Sequence, residues 1–400
     1  DAQGGTPVPG TQYILKGDKV TKPSSNPAKQ GHIFGGWYKN ADCSDGQEWN
    51  FATDTVTGNM TLYAKWMEAK YTVTFRVADG KGELKGSYSY AGLTYSKTAY
   101  SGGDEQKFED VPEGTQVSFE AKPADGWKVK GWTLNNESVS GTNVNYTSPG
   151  IAENTTVTVE FERVTTIENG NNFAWKLLKK AVEIADPNAV ITINGEIKAS
   201  GPSEGDCGEI VINKNLTIKG ETGAGTDILD ANGLSRIFKV ENGANLILEN
   251  LKLTGGKADG TEDADKCGGA IYAKNANEIK IINCTIMGNE AYTNGGGIYV
   301  EGTPTTITNC IFTGNTAKNG GGIYIIQGDR IPVVTISGGT IGGTGTGEAN
   351  KATGSDGNGG GIYSEGTLTL ENTNIESSTA ANGGAISNRG TLSITGGTFR

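Results

Sequence analysis

The stretch NGGGIYVEGTPTTITNCIFTGNTAKNGGGIY, residues 294–324, begins and ends with the same six residues, Asn-Gly-Gly-Gly-Ile-Tyr. Related copies precede and follow it, each with an isoleucine at the same place. These isoleucines lie at positions 271, 298, 323, 362 and 386, so the steps between them are 27, 25, 39 and 24 residues. Repetition at such intervals is typical of a solenoid, in which each repeat packs on the next.

The residues inside one repeat indicate strands. Three short β-prone runs, for example Ile362-Tyr363, Leu368–Leu370 and Ile375, are separated by turns rich in Gly and Asn. Leucine-rich repeats have a similar length but require Leu at fixed positions, and Leu is scarce here. Three strands per repeat therefore predict one coil of a right-handed parallel β-helix, beginning near Ala189.

A second register of asparagines supports the same repeat. Each follows a β-prone run and stands three residues before Leu253, Ile286, Phe312 or Ile375; these asparagines are Asn250, Asn283, Asn309 and Asn372. Stacked at one turn, their amides can bond to one another along the helix axis, so we expect an amide ladder that fixes the bend.

The segment NNFAWKLLKKAVEIA, residues 171–185, has a helical pattern. Phe173, Leu177, Ala181 and Ile184 recur at helical spacing, Asn171 or Asn172 can serve as N-cap, and Pro187 follows the end. The first coil of a β-helix exposes apolar side chains and unpaired backbone groups. We predict that this amphipathic helix covers that edge.

Composition limits the function classes. The 400 residues include 62 Gly and carry a net charge of −11, which argues against a nucleic-acid partner because such partners require basic surfaces. No apolar run is long enough to cross a bilayer, so no direct membrane insertion is expected. His32 is the only histidine, which excludes a multi-His metal site or a His-based triad.

Two modules precede the β-helix. Residues 22–66 resemble the Listeria–Bacteroides repeat of the internalin B type in Gly31, Phe34, Gly36-Trp37-Tyr38 and the closing Leu62–Trp66. Residues 70–162 resemble a divergent repeat of the same kind, with alternation in Val117–Ala121 and Thr156–Phe161. The resemblance implies small β-grasp-like modules that act as extracellular spacers or interaction units. We expect the aromatic residues beside Gly-Trp to form their cores.

The repeats themselves also resemble a known family. Gly-Gly-Ala-Ile, combined with Phe312-Thr313-Gly314-Asn315, is similar to the GGA[ILV] and FxxN repeats of chlamydial polymorphic outer membrane proteins, over about residues 265–400. Ile375-Glu376-Ser377-Ser378 departs from the pattern because it lacks the Asn. The resemblance implies surface display and adhesion.

The predicted fold class is therefore all-β, with one capping α-helix. The predicted domains are the Listeria–Bacteroides module at 1–67, the divergent module at 68–163, the capping helix at 164–188 and the β-helix at 189–400. Because the chain ends at Thr398-Phe399-Arg400 within a repeat, we expect the β-helix to continue beyond it.

The residues that follow the repeated isoleucines form the candidate binding site. If the isoleucines point inward, strand alternation sends the next residues outward; these are Tyr272, Tyr299, Tyr324 and Tyr363. A row of exposed rings suits stacking on sugars or contact with a protein. The alternative is a packing strip beneath the inserted loops, especially residues 338–359.

An acidic loop and the cysteines offer further chemistry. The loop KADGTEDADKC, residues 257–267, contains four carboxylates that predict a possible calcium site or a solvated loop: Asp259, Glu262, Asp263 and Asp265. Cys284 and Cys310 fall at equivalent positions of adjacent coils, so they form either a disulfide or a pair of stacked thiols. Cys207 and Cys267 lie about two coils apart, too far to pair without movement of the loops. No other cofactor is expected.

Two functions remain open. The first is a non-catalytic surface protein, adhesin-like or structural, that binds a host or bacterial surface glycan or protein. The second is a polysaccharide-active enzyme, a lyase or glycoside hydrolase, because parallel β-helices include pectate lyases; Glu301 and Glu365 are then the carboxylate pair, about 10 Å apart. No catalytic residue is assigned. The expected location is extracellular or on the bacterial cell surface, outer-membrane associated, after export by a signal peptide outside this chain.

Overall fold

A computed structural model of the chain describes residues 1–171, 173–201 and 205–400. They form two compact units, Asp1–Glu162 and Arg163–Arg400. Both units are built almost wholly from strands, and the second contains the α-helix Ala174–Ile184. The predicted all-β class is confirmed. The finer division into four domains stays a prediction.

The first module consists of a two-stranded antiparallel sheet and long loops. Its strands are His32–Tyr38 and Tyr63–Glu68, and a bulge interrupts their register between Phe34 and Trp37. Gly36 lies in that bulge with φ +110°, a value that favours glycine. Trp37, Trp49 and Ala64 form the buried core, as the aromatic pattern predicted.

The second module contains two sheets around one apolar core. The four-stranded sheet runs in the order Asn145–Thr147, Ser118–Pro123, Gly82–Tyr90, Leu93–Tyr100. The five-stranded sheet runs in the order Gln106–Pro112, Lys70–Asp79, Thr155–Arg163, Trp127–Leu134, Glu137–Ser138. The predicted alternation is confirmed, since Val117, Phe119 and Ala121 are buried while Ser118 and Glu120 are exposed.

The second unit is a parallel β-helix with three long sheets and one short sheet. Sheet I contains Thr166–Glu168, Ala189–Asn194, Leu216–Gly220, Asn245–Glu249, Glu278–Ile282, Thr305–Thr308, Val333–Ser337, Thr367–Glu371 and Thr391–Thr395. Sheet II contains Glu196–Lys198, Ile228–Asp230, Lys252–Thr254, Thr285–Met287, Ile311–Thr313, Thr340–Gly342 and Asn374–Glu376. Sheet III contains Ile210–Ile212, Phe238–Val240, Ile271–Lys274, Ile298–Glu301, Ile323–Ile326, Ile362–Ser364 and Ile386–Asn388. Sheet IV contains Lys257–Ala258, Glu290–Ala291, Thr316–Ala317 and Lys351–Ala352.

The predicted strand register is confirmed. Ile271, Ile298, Ile323 and Ile362 pair directly with one another along sheet III and are fully buried in the interior core. The first repeat strand begins at Ala189, as predicted, but it pairs with the additional strand Thr166–Glu168. That strand precedes the helix, so the sequence repeat could not reveal it.

The α-helix Ala174–Ile184 closes the first coil, as predicted, but it presents a different face. The side chains that enter the core are Trp175, Leu178, Ala181 and Val182, whereas Phe173 is exposed and Leu177 and Ile184 are only partly covered. The predicted inward position is therefore wrong for Phe173 and confirmed for Ala181, and Leu177 packs at the edge of the core. Trp175 decides the orientation because its large ring gains most from full burial, and its Nε1–H donates to the Gly208 carbonyl.

The start of this helix also differs from the prediction. Phe173 occupies the N-cap position in the left-handed conformation, and the amide of Asn171 instead accepts from the Glu168 N–H. Asn172 lies outside the described residues. The buried carboxylate of Asp206 accepts the Lys176 N–H at 2.7 Å, so a residue distant in sequence supplies the missing cap.

Asparagines form the corners of the β-helix. Asn250, Asn283, Asn309 and Asn372 all have φ between +50° and +56°, a conformation that Asn tolerates better than most residues. Asn283 donates to Asn250 Oδ1 at 3.3 Å, which is one step of the expected amide ladder. A longer ladder lies inside the core, in Asn289, Asn315 and Asn350.

Among the described residues, no helix has the length and apolar character needed to cross a lipid bilayer.

Candidate functional site

Four tyrosine rings form a continuous stack on the outer side of sheet III. Tyr272, Tyr299, Tyr324 and Tyr363 pair in register from coil to coil. Successive ring centroids are 5.1, 5.6 and 4.6 Å apart, and the planes deviate from parallel by at most 12°. We call this stack the tyrosine column. Its spacing follows from the distance between paired strands, which matches the distance at which aromatic rings stack.

Both ends of the tyrosine column are covered by guanidinium groups. Arg236 lies over the Tyr272 ring at 4.8 Å, and Arg389 lies near the Tyr363 ring at 5.8 Å from its centroid. Arg236 is itself buried, forms an ion pair with Glu209 and donates to the Ala264 carbonyl. Each ring face is therefore occupied by a neighbouring ring or by a cation.

The expectation that these rings are exposed is wrong. The four tyrosines are only 4–8% exposed, and Cys267, Ala264 and Ile326 pack beside them. The sequence placed them correctly outside the isoleucine core, but strand alternation alone does not show what covers the outer side. Sugar stacking needs a free ring face, and the tyrosine column offers none. Ligand binding by these four residues stays a prediction.

The tyrosine hydroxyls bind carboxylates. Tyr299 donates to Glu301 Oε2 at 3.0 Å, and Tyr363 donates to Glu365. Burial raises the pKa of Tyr272 to about 12, with a smaller contribution from Glu301, and burial likewise raises the pKa values of Tyr299 and Tyr324. The column therefore stays protonated and neutral throughout the physiological pH range.

The carboxylates of the enzyme hypothesis are part of this packing. Glu301 accepts from Tyr299 and forms a 3.0 Å ion pair with Lys274 on the preceding coil. Glu301 pairs in register with the apolar residue Ile326 on the next coil, and not with a second carboxylate. The arrangement holds each carboxylate against a tyrosine hydroxyl.

The carboxylates of the acidic loop do not lie together. Asp259 pairs with Lys257 at 2.8 Å and Asp263 pairs with Lys266 at 3.3 Å, while Asp265 lies in the short 3₁₀ turn Ala264–Lys266. In residues 1–171, 173–201 and 205–400, no group of three or more His, Cys, Asp or Glu side chains is placed to hold a metal ion. Asp259, Glu262, Asp263 and Asp265 thus do not converge on one point.

The cysteine alternatives are resolved in favour of free thiols. All five cysteines are unpaired, and Cys284 and Cys310 stack inside the core, where the Cys284 N–H points at Cys310 Sγ at 3.4 Å. The contact with Cys310 and burial both raise the pKa of the Cys284 thiol. The pair acts as part of the apolar core.

The buried aspartates, among them Asp206 and Asp227, were missed by the sequence reasoning. Besides capping the helix, Asp206 accepts from the Ser200 hydroxyl. Asp227 accepts from the N–H groups of Gly195, Thr222 and Gly223. Burial opposes the charge of Asp227, but these hydrogen bonds lower its pKa. Both residues organise loops of the first coils, and their positions carry no repeat signal.

Family models match three parts of the chain. Residues 1–65 match the Listeria-Bacteroides repeat domain, and residues 92–165 match the divergent InlB B-repeat domain. Residues 283–301 and 309–326 match the Chlamydia polymorphic membrane protein repeat, a shorter span than the predicted 265–400. Each of these two repeats begins at a left-handed corner Asn and ends with the last residue of a sheet III strand.

Curated proteins are similar over limited segments. A putative Gly-rich membrane protein of Evansella cellulosilytica is 32% identical over 125 residues, which are 31% of this chain and 13% of that protein. Internalin H of Listeria monocytogenes is 36% identical over 72 residues, which are 18% of this chain and 13% of that protein. The chain thus matches about an eighth of the length of these relatives. No solved structure is significantly similar to it.

The chain is a modular repeat protein, in which two modules similar to internalin-type repeats precede a parallel β-helix that carries repeats similar to those of polymorphic membrane proteins.

Proposed function

We propose that this protein is a non-catalytic, adhesin-like component of a bacterial cell surface, which presents its modules to a glycan or protein partner. The observation that carries the proposal is the combination, in one chain, of three repeat types with surface-protein relatives. One relative is named as an internalin and another as a membrane protein. The proposed location is the outer surface of the cell, reached by export.

The structure of the β-helix is compatible with a supporting role. Its core is continuous from Trp175 to Ile375, and its outer tyrosine column joins four coils by ring stacking. Buried amides on adjacent coils are also hydrogen-bonded to one another. Each coil is thus fixed to the next by side chains as well as by backbone bonds, which suits a domain that must stay folded outside the cell.

The test is attachment of the purified chain to candidate partners. Beads coated with residues 1–400 are applied to glycan arrays and to cultured animal cells, and attachment is counted after washing. Beads coated with the Ile298→Asp variant, which we expect to lose the β-helix, show whether attachment requires that fold. Adhesion is expected from the native chain. Failure to bind any glycan of the arrays or any of the cells contradicts the proposal.

The alternative, a polysaccharide-active enzyme, rests on Glu301 and Glu365. Their hydrogen bonds to Tyr299 and Tyr363 favour a packing role. The chain should therefore release no unsaturated or reducing sugars from acidic polysaccharides, with or without calcium. If the chain shows turnover, and Glu301→Gln or Glu365→Gln abolishes it while the variant still folds, the protein is a polysaccharide-active enzyme instead.

A further inference from the structure

The strand Leu93–Tyr100 forms an open edge of the second module. It is the last strand of the four-stranded sheet and, among the residues that the structure describes, pairs only with Gly82–Tyr90, through eight consecutive residue pairs without a bulge. Six of its eight residues are exposed. The strand contains no proline and no bulge. Both features commonly prevent edge strands from pairing with other chains.

The hairpin turn determines which backbone groups are free. Ala91 and Gly92 both have positive φ and form a two-residue turn, so the flanking Tyr90 and Leu93 are a hydrogen-bonded pair. Hydrogen bonding to the neighbouring strand alternates from that point. Thr94, Ser96 and Thr98 therefore point their N–H and C=O groups away from the sheet.

The order of side chains along this strand is complementary to itself. When two copies run antiparallel and are centred on Ser96, Thr94 faces Thr98 of the other copy and Ser96 faces Ser96. On the opposite face, Tyr95 meets Lys97 and Leu93 meets Ala99. The directly opposed pairs are then small polar pairs, an apolar pair and Tyr95 with Lys97, and none joins like charges.

Apolar side chains at this edge remain uncovered. Leu93 is 61% exposed, and Tyr90, Tyr95 and Tyr100 are each at least 40% exposed. Lys97 does not shield the edge, because its ammonium group donates to the Lys107 carbonyl and lies near the Phe108 ring. A second strand placed here covers Leu93 and Tyr95 on one face and leaves the lysine contacts in place.

We propose that the chain dimerises through this strand, with Leu93–Tyr100 of two copies paired antiparallel about Ser96, so that two four-stranded sheets become one eight-stranded sheet. The pairing forms six backbone hydrogen bonds, two for each of the three opposed pairs made by residues 94, 96 and 98. A single strand pair buries less surface than stable dimers do, so the dissociation constant is expected in the micromolar range. The inference is independent of adhesion.

The first experiment measures association of the full chain. Sedimentation velocity from about 1 to 200 μM should show a reversible monomer–dimer equilibrium. Ser96→Lys places two ammonium groups opposite each other at the centre and should weaken the dimer at least about tenfold. Ser118→Lys, an exposed serine two strands from the edge, is the matched control and should leave the dimer unchanged. Circular dichroism checks that both variants fold.

The second experiment tests the register by disulfide formation. In a Cys207→Ser background, which removes the least buried native thiol, Ser96→Cys should cross-link with itself. Thr94→Cys and Thr98→Cys should each remain uncross-linked alone, since like residues then lie about 13 Å apart, but should cross-link when mixed. A chain that stays monomeric throughout the range, a dimer that tolerates Ser96→Lys, or cross-linking at Thr94 alone overturns the proposal.

Discussion

Asn315 offers one side-chain acceptor to two donors of Asn289, which lies one coil away inside the β-helix. The backbone N–H and the Nδ2 group of Asn289 both donate to Oδ1 of Asn315 at 3.0 Å. Asn315 makes the same two bonds to Asn350. Both asparagines are essentially unexposed, so each amide satisfies backbone groups that water cannot reach. The FxxN motif thus works as a buried connection between coils.

Replacing Asn315 with Ala should destabilise the β-helix. The change leaves the backbone N–H of Asn289 without its acceptor and removes one of the three acceptors of Asn289 Nδ2. It also frees the carbonyl of Ile286, which Asn315 Nδ2 now binds. We expect the free energy of unfolding to fall by roughly 2–4 kcal/mol, measured by urea denaturation. Asn277→Ala, at an exposed position, is the control and should change it little. Equal stability of the two variants contradicts the role assigned to the ladder.

Ile298→Asp should unfold the repeat region. Ile298 is fully buried between Ile271 and Ile323, and an unpaired carboxylate there costs several kcal/mol because no water or cation can reach it. Ile311→Asp is the matched control, since Ile311 lies on a β-helix strand but is 44% exposed. Circular dichroism and limited proteolysis measure the folding of both variants. A normal melting curve for Ile298→Asp shows that the register is misassigned.

The double change Tyr299→Ser and Tyr324→Ser separates packing from binding. Because both rings are buried in the tyrosine column, we expect a loss of about 3 kcal/mol or more per ring in the free energy of unfolding. Tyr292→Ser, at a tyrosine that is 55% exposed, should cost much less. Melting and bead attachment are measured on the same samples. Weaker attachment with unchanged melting establishes the tyrosines as a ligand surface.

Alkaline pH should destabilise the β-helix through the same column. The pKa of Tyr272 is raised to about 12 by burial, above the usual value of 10.0, so the folded state retains a proton that the unfolded state loses. The stabilisation from this group is complete below pH 10 and is lost as the pH rises through about 12. Absorbance at 295 nm should show late ionisation that coincides with unfolding, and Tyr272→Phe should reduce the pH dependence. Ionisation of all fourteen tyrosines near pH 10 contradicts this account.

The sequence determined the coils of the β-helix because the repeat encodes them locally. A glycine-rich turn, an isoleucine and a tyrosine recur in register, and parallel strands in register place identical residues on top of one another. The inward direction of Ile298 and the recurrence of an asparagine at one turn of successive coils followed from this. Both depend on the chain's own conformation within one coil.

Only the tertiary structure decided what covers the outer face and how the first coil is closed. The tyrosine column is buried because Arg236 and Cys267, from other coils and loops, pack against it. The capping helix turns toward Trp175, and Asp206 caps it from a loop thirty residues later. Such contacts join residues that the repeat does not align. Strand alternation fixes the side of a sheet on which a residue lies, whereas burial depends on the segments that fold over it.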